Sequence, residues 1–216
     1  MRRCRQQQGA TLVFALCMLV MMLLLGVSAA QLALQGERAA RAERDRHIAF
    51  QAAEEALMDA QIDIEGRPGV PGRSAAFDSA ASFADDCAAV ASAGAGGAQT
   101  GLCLPAASGD PALWRQLALD ADDAGALVDY GRFTGAAMAS GAGMLPSRRP
   151  RYLVELLPAH LPGEEVAGEA AGAGYLAGYL YRVTAIGFGA QADTQVVLQT
   201  FYRKRAGGTA APGAAP

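Results

Sequence analysis

The hydrophobic and polar positions of this chain divide it into four stretches of different character. Residues 10–30 are apolar and uncharged, and residues 31–65 are rich in alanine and in charges of both signs, without proline. Residues 68–150 are rich in alanine and glycine and show no sustained period, whereas residues 151–203 contain runs of aromatic and β-branched residues. This order predicts a long helix, an irregular middle region and a sheet.

The apolar stretch is long enough to span a membrane. At about 1.5 Å per residue it forms a helix about 30 Å long, which is the thickness of the hydrocarbon core of a bilayer. Arg2, Arg3 and Arg5 precede it and no comparable cluster follows directly, so the positive-inside rule keeps the N-terminus cytoplasmic. We therefore expect a transmembrane helix over residues 10–31, with the rest of the chain outside the cytoplasm.

The second stretch continues this helix over residues 32–66. Helix propensity is high throughout, and Gly66 and Pro68 end it because glycine favours the helix C-cap and proline cannot continue a helix. Apolar residues recur there at alternating spacings of three and four: Phe50, Ala53, Leu57, Ala60 and Ile64. This stripe predicts a helix face that packs on the chain's own globular part.

Three runs near the C-terminus have the composition of strands: residues 151–157, 179–186 and 194–202. In the last run Val196 and Leu198 alternate with Gln195 and Gln199, so one face is apolar and is suited to cover the helical stripe. We expect an antiparallel sheet within residues 151–205 and a loop-rich, variable region with one short helix over residues 67–150. The tail, residues 206–216, has no packing residues and is expected to be disordered. The predicted fold class is α+β.

The net charge and the lack of catalytic or metal-binding motifs argue against several classes of function. The formal net charge is -3, which argues against a general nucleic-acid surface. His47 and His160 have no nucleophile or orienting acid nearby in sequence, and neither a phosphate-binding glycine motif nor a paired Cys-x-x-Cys occurs. The sequence therefore predicts no enzyme, no cofactor and no metal site.

Two cleavage sites compete at the N-terminus. Val27-Ser28-Ala29 before Ala30 has the small residues of a secretory cleavage site, and cleavage there releases the globular part. Against it, the apolar stretch is longer than the about 7–15 residues of such a signal, and no turn signal follows it. The other site lies after Gly9, so that residues 1–9 are a cleaved leader and the apolar helix stays on the mature chain.

The second arrangement resembles the class III signal of type IV pilins, in which a prepilin peptidase cleaves after a glycine and methylates the exposed residue. Gly9 and Ala10 match those two positions. The fifth mature residue is Phe14, where most pilins have a glutamate that pairs with the terminal amine of a neighbouring subunit. This difference implies a poor repeating unit that takes a special place in the filament, such as the tip.

A narrower resemblance comes from residues 37–57, which contain Arg44-Asp-Arg-His-Ile-Ala-Phe-Gln-Ala-Ala-Glu-Glu-Ala-Leu57, and from residues 181–189. Both segments resemble PilX-type minor pilins. The resemblance implies a type IV pilin-like fold, with a transmembrane and then amphipathic helix on a small antiparallel sheet. It also implies a minor pilin of the bacterial inner membrane and the pilus that helps to initiate or cap pilus assembly. The implied partners are other minor pilins, a PilY-type tip adhesin, the pilus assembly platform and the prepilin peptidase.

The four cysteines fit this arrangement. Cleavage after Gly9 removes Cys4, and Cys17 lies in the membrane stretch, so Cys87 and Cys103 remain outside. In an oxidising periplasm we expect these two to form a disulfide that closes part of the middle region. Cleavage also removes three arginines, which moves the formal net charge from -3 to -6.

Two other functions remain open from the sequence. The tip pseudopilin of a type II secretion system also lacks the glutamate, although it usually carries a larger and mostly helical insert. An anchored or secreted adhesion module would instead use the sheet and the middle region to bind a surface. Copurification with pilin partners separates these functions from one another.

Overall fold

The computed structural model describes residues 9–85, 87, 97–107, 109–120, 125–157 and 179–204. The predicted leader, apart from Gly9, and the predicted disordered tail lie outside the described residues. The chain forms two compact units, residues 1–44 and 45–216. The second unit is called the head below.

One helix runs through the two predicted helical stretches. Helix α1 is Ala10–Glu65, 56 residues long. It ends at Gly66, which has a φ of +80° and donates its N–H to the Ile62 carbonyl at 2.8 Å. Glycine suits this left-handed position because it has no β-carbon.

The head contains a sheet of five strands. They are β1, Leu102–Cys103; β2, Val128–Asp129; β3, Arg151–Leu157; β4, Leu180–Phe188; and β5, Gln195–Arg203. The last three form an antiparallel sheet in the order β3-β4-β5, as predicted. The first two both pair with β3, and β1 does so in parallel, so the sheet is mixed rather than purely antiparallel. Two-residue strands are too short to show a period of two, which is why the sequence pattern did not indicate them.

The sheet separates two apolar cores. The first lies between the sheet and α1 and includes these residues: Ala56, Ala60, Ile64, Phe77, Tyr152, Val154, Tyr181 and Val183. The second lies on the opposite face and includes these: Cys87, Cys103, Leu119, Leu127, Leu153, Ile186 and Phe188. Successive strand residues enter opposite cores because side chains alternate across a pleated sheet.

The middle region contributes several residues to the second core, which it forms together with the sheet. Cys87 and Cys103 form the predicted disulfide, and both residues are buried there. The predicted short helix is α2, Leu113–Gln116, and Trp114 packs against the same core. Two short 3₁₀ helices, Ser74–Asp78 and Ala80–Ser82, follow α1 and contribute Phe77 to the first core.

Helix α1 and strand β4 approach each other closely at Gly187. A β-carbon at this position would lie 2.1 Å from the Ala49 carbonyl oxygen and 2.4 Å from the Ala53 nitrogen. Ala49 and Ala53 are fully buried. Small residues on both elements therefore set the distance between helix and sheet.

The residues of the predicted stripe differ in how far they are buried. Ala53, Ala60 and Ile64 are fully buried, and Leu57 packs against the first core while partly exposed. Phe50, in contrast, is 40% exposed. The close contact with Gly187 of β4 is made by Ala49 and Ala53, where only small side chains fit.

Candidate functional site

The N-terminal part of α1 is an exposed apolar surface. An 18-residue window has a mean hydropathy of 2.7 and is not buried against the rest of the protein. By length and composition α1 is therefore suited to span a membrane. Its exposed apolar side chains include these: Leu12, Phe14, Met18, Met22, Leu25 and Leu32.

The predicted processing and assembly positions lie at the start of this helix. Gly9 directly precedes α1, and Ala10 is its first residue. Both are exposed, and nothing lies within 4 Å of the β-carbon position of Gly9. The Phe14 side chain is 68% exposed, one turn further along.

Three aspartates of α1 are buried in the head: Asp45, Asp59 and Asp63. They share a helix face with buried alanines. A buried carboxylate is costly unless hydrogen bonds or an opposite charge compensate it. Each of the three has such partners, and each set of partners belongs to a different part of the head.

Asp63 holds a buried arginine. Arg73 Nη2 lies 2.7 Å from Asp63 Oδ2, and the Tyr152 hydroxyl donates to the same oxygen at 2.8 Å. Arg73 also donates to the Ala98 carbonyl at 2.7 Å and to the Thr100 carbonyl. Burial, together with the negative charge of Asp63, raises the pKa of Tyr152 well above its usual range. This cluster joins α1 to β3 and to the segment that precedes β1.

The Arg73 guanidinium is also stacked. It lies 3.7 Å from the centroid of the Phe133 ring, within cation–π distance. The side chain of Arg73 is only 4% exposed and that of Asp63 is fully buried. Such a pair is sensitive to loss of either partner because the remaining charge stays buried.

Asp59 binds the loop that follows β2. Its carboxylate accepts the Gly131 N–H at 2.7 Å and the Thr134 hydroxyl proton. Burial raises the pKa of this carboxyl, although the two hydrogen bonds act in the opposite direction. Gly131 has a φ of +78°, and a β-carbon there would lie 1.8 Å from the Ala136 carbonyl oxygen, so this turn requires glycine.

Asp45 binds the turn between β4 and β5. It accepts the Ala190 N–H at 2.6 Å and the Gln191 N–H at 3.2 Å. At Gly189 a β-carbon would lie 2.7 Å from Asp45 Oδ1. The three carboxylates thus fix three separate loops of the head to one helix face.

Sequence reasoning missed these aspartates because it followed only the apolar residues of the helix and not the acidic residues on the same face. A signal was present: Asp45, Asp59 and Asp63 fall on the same helical face as Ala49 and Ala56. An acidic residue in register with an apolar stripe indicates a buried carboxylate with a partner elsewhere in the chain. The identity of the partners depends on tertiary contacts and is not readable from the sequence.

The contacts of the three aspartates hold loops of the head to α1. In the part of the chain that the structure describes, no group of three or more histidine, cysteine, aspartate or glutamate side chains is placed to hold a metal ion. Two basic residues of the head form ion pairs within it: Arg151 Nε lies 2.8 Å from Asp129 Oδ1, and Lys204 Nζ lies 2.8 Å from Asp78 Oδ1.

Comparison with known families decides the identity of the chain. A model described as PilX N-terminal matches residues 8–57, which include the start of α1 and Asp45. A model described as type IV pilus assembly protein PilX C-term matches residues 99–204, from just before β1 to the end of β5. The two models together cover more than two thirds of the chain. The chain belongs to the PilX family.

Membership in the PilX family makes this chain a component of type IV pilus assembly. The family is structural rather than catalytic, and its members interact with other pilus components. The apolar start of α1 suits a membrane-anchored pilin of this family. No curated protein and no solved structure matches the chain.

Proposed function

We propose that this PilX-family chain is a minor pilin that initiates or caps a type IV pilus at its tip. In this proposal it is inserted in the bacterial inner membrane, is cleaved after Gly9 and is methylated at Ala10. The apolar start of α1 then leaves the bilayer with the subunit and packs into the filament.

The observation that carries the proposal is the absence of charge in the exposed anchor, and in particular Phe14. In pilins that repeat along the shaft, the resemblance implies a glutamate at this position that pairs with the amine of a neighbour. Phe14 has no charge with which to make that pair. A subunit that accepts neighbours only on one side is suited to one end of a filament.

The head supports the proposal because it is fixed to α1 by charges and by packing. The buried aspartates Asp45, Asp59 and Asp63 tie three loops to the helix, and Gly187 allows close contact with β4. A head held in this way presents a constant surface to the proposed partners, which are other minor pilins, a PilY-type tip adhesin and the assembly platform. The family description favours the pilus over a secretion pseudopilus.

A deletion that leaves the other pilus genes intact tests this role. We expect many fewer pili per cell, with their lengths unchanged, because initiation sets how many filaments start and not how far each extends. Pili would be counted by electron microscopy, with the wild-type gene restored as the control. Normal pilus numbers in the deletion strain would contradict the role in initiation.

The position of the subunit is tested by labelling it with gold on sheared pili. We expect the label of the wild-type subunit at one end of the pilus. The Phe14→Glu variant is expected also along the shaft, because it has the carboxylate that can pair with the amine of a neighbouring subunit. Phe14→Gln has nearly the same size as Phe14→Glu but no charge, and it is expected to stay at the end. If the gold label of the wild-type subunit is distributed along the shaft, a position at the tip is contradicted.

A further inference from the structure

Strand β5 is the last strand of the described sheet on one side. At the other end of the antiparallel part, β3 pairs with β1 and β2 as well as with β4. Among the described strands, β5 pairs with β4 alone. The β4–β5 pairing is continuous over nine residue pairs, without a bulge. A long, flat edge of this kind presents a row of backbone donors and acceptors to another strand.

The hydrogen-bond pattern shows which residues face outward. Gly189 donates its N–H to the Thr194 carbonyl at 2.8 Å, which makes their pair a hydrogen-bonded one. Because bonded and non-bonded pairs alternate in an antiparallel ladder, the backbone groups of Val197, Gln199 and Phe201 point away from β4. These are the groups that an additional strand would bind.

The edge lacks the usual protection against pairing. Native edge strands commonly carry charges, prolines or bulges that discourage strand addition. Strand β5 contains no proline, and its one charged residue is Arg203 at the C-terminal end. Their exposed side chains are apolar at two positions, with Val197 40% exposed and Phe201 62% exposed.

Two residues of the apolar stripe of α1 are not fully covered. Phe50 is 40% exposed, and Leu57 is only partly covered. A groove beside the helix is lined by Leu57 and Gln61 of α1, by Thr200 and Tyr202 of β5, and by residues 138–139 and 144–146 of the loop before β3. Because Thr200 and Tyr202 of β5 line this groove together with Leu57, one more strand beside β5 would lie along it.

The groove also indicates the charge of its occupant. Glu54 is exposed and lines the groove, so a basic side chain in the occupant complements it. Residues 206–216 of the chain contain only alanine, glycine, threonine and proline. They offer no large apolar side chain to cover Phe50, so the tail does not fit as the occupant.

We propose that β5 is the docking edge for an extended segment of another type IV pilus component, with apolar side chains at alternate positions and a basic residue opposite Glu54. The segment adds a sixth strand to the sheet through the outward backbone groups of β5. On the face of the sheet toward α1, its apolar side chains cover Phe50 and Leu57. On the opposite face, its apolar side chains lie beside Val197 and Phe201. This inference rests on the membership in the PilX family and not on the role in initiation.

The test uses the full chain in cells that make the whole pilus machinery, with the photocrosslinking residue p-benzoylphenylalanine in place of Phe201. We expect a cross-link to a single stretch of another pilus component, mapped by mass spectrometry of the cross-linked peptides. The same residue in place of Asp129, whose side chain is 56% exposed on β2 at the side of the sheet away from β5, is the control position and should not give this product.

A proline substitution separates strand pairing from simple proximity. Val197→Pro removes one outward N–H without touching the bonds to β4, whereas Val197→Ala removes the same side chain and keeps the N–H. We expect Val197→Pro to lower the cross-link yield about tenfold, and Val197→Ala to keep it within about twofold, because only the proline deletes a hydrogen bond and blocks the added strand. Gln199→Pro is a second variant of the same kind, for use if Val197→Pro does not fold in detergent.

Several results would overturn the docking edge. They are a cross-link within this chain, for example to residues 158–178, a cross-link to a second copy of the chain, no cross-link, and equal yields for Val197→Pro and Val197→Ala. The proposed function fails separately. If deletion of the gene leaves pilus numbers normal, while cells that make the chain still give the proline-sensitive cross-link, the docking edge stands and the role in initiation does not.

Discussion

At the scale of single residues, the buried pair Asp63–Arg73 is sensitive to loss of either partner. Asp63→Asn keeps the size of the side chain but leaves the Arg73 guanidinium buried against a neutral group. We expect the head to lose about 3–5 kcal/mol of unfolding free energy, because an uncompensated buried charge is costly. Urea denaturation of the full-length protein in detergent measures this, with the fluorescence of Trp114, the single tryptophan, as the signal.

Asp129→Asn is the matched control for that substitution. It breaks the ion pair with Arg151, in which the Asp129 side chain is 56% exposed. An exposed pair contributes about 0–1 kcal/mol, so the denaturation midpoint should change little. Equal losses for Asp63→Asn and Asp129→Asn would show that burial does not set the strength of these pairs.

Asp59 makes the stability of the head depend on pH. Its pKa is raised above the ordinary value of 3.8, so the folded head binds this proton more tightly than the unfolded chain does. The contribution of Asp59 to stability therefore falls as pH rises from 3.8 through the raised folded pKa, and it is constant above that. Asp59→Asn keeps an acceptor for Gly131 but removes the titration.

We expect the unfolding free energy of Asp59→Asn, relative to wild type, to rise across that pH window and then to level off. Denaturation curves at a series of pH values measure the difference. Thr134→Ala removes a hydrogen bond that lowers the pKa of Asp59, so it should extend the window to higher pH. A relative free energy that falls with rising pH would contradict the assigned direction of the pKa.

At the scale of elements, the contact between α1 and β4 depends on the absence of a side chain at Gly187. Gly187→Ala places a methyl group 2.1 Å from the Ala49 carbonyl oxygen, so helix and sheet must separate. We expect a loss of about 1–3 kcal/mol, as is usual for overpacking. Gly72→Ala is the control, since its nearest neighbour would be the Phe133 carbonyl oxygen at 3.8 Å, and it should change stability by less than about 0.5 kcal/mol. Equal denaturation midpoints for the two variants would contradict the close approach.

The sequence predicts the elements of this fold better than their contacts. Helix α1 and the three long strands β3, β4 and β5 follow from composition and from the period of the apolar residues. The pairing of β1 and β2 with β3 does not, because a two-residue strand has no pattern of its own. The exposure of Phe50 also depends on where the sheet ends, which is a tertiary property.

The same limit applies to the candidate site. Gly9, Ala10 and Phe14 come from a linear motif, so they are found without a structure, and their roles remain predictions. Asp45, Asp59 and Asp63 act through partners that lie far along the chain, such as Gln191 for Asp45. Their common helix face is readable from the sequence, but their hydrogen bonds are not.

At the scale of the whole molecule, two features describe a membrane-anchored pilus component. The anchor is an exposed apolar helix, and the head has its own cores and a disulfide. The PilX family models cover both parts. The central claim of the proposal is that these parts stay joined, because processing removes only the residues up to Gly9.

Intact-mass and N-terminal analysis of the protein expressed in membranes, with and without a prepilin peptidase, tests this claim most directly. We predict a mature chain that starts at methylated Ala10 only when the peptidase is present, since that enzyme recognises the basic leader and Gly9. A chain that starts at Ala30 whether or not the peptidase is present would contradict it, because the anchor would then be lost and the head would be a secreted domain.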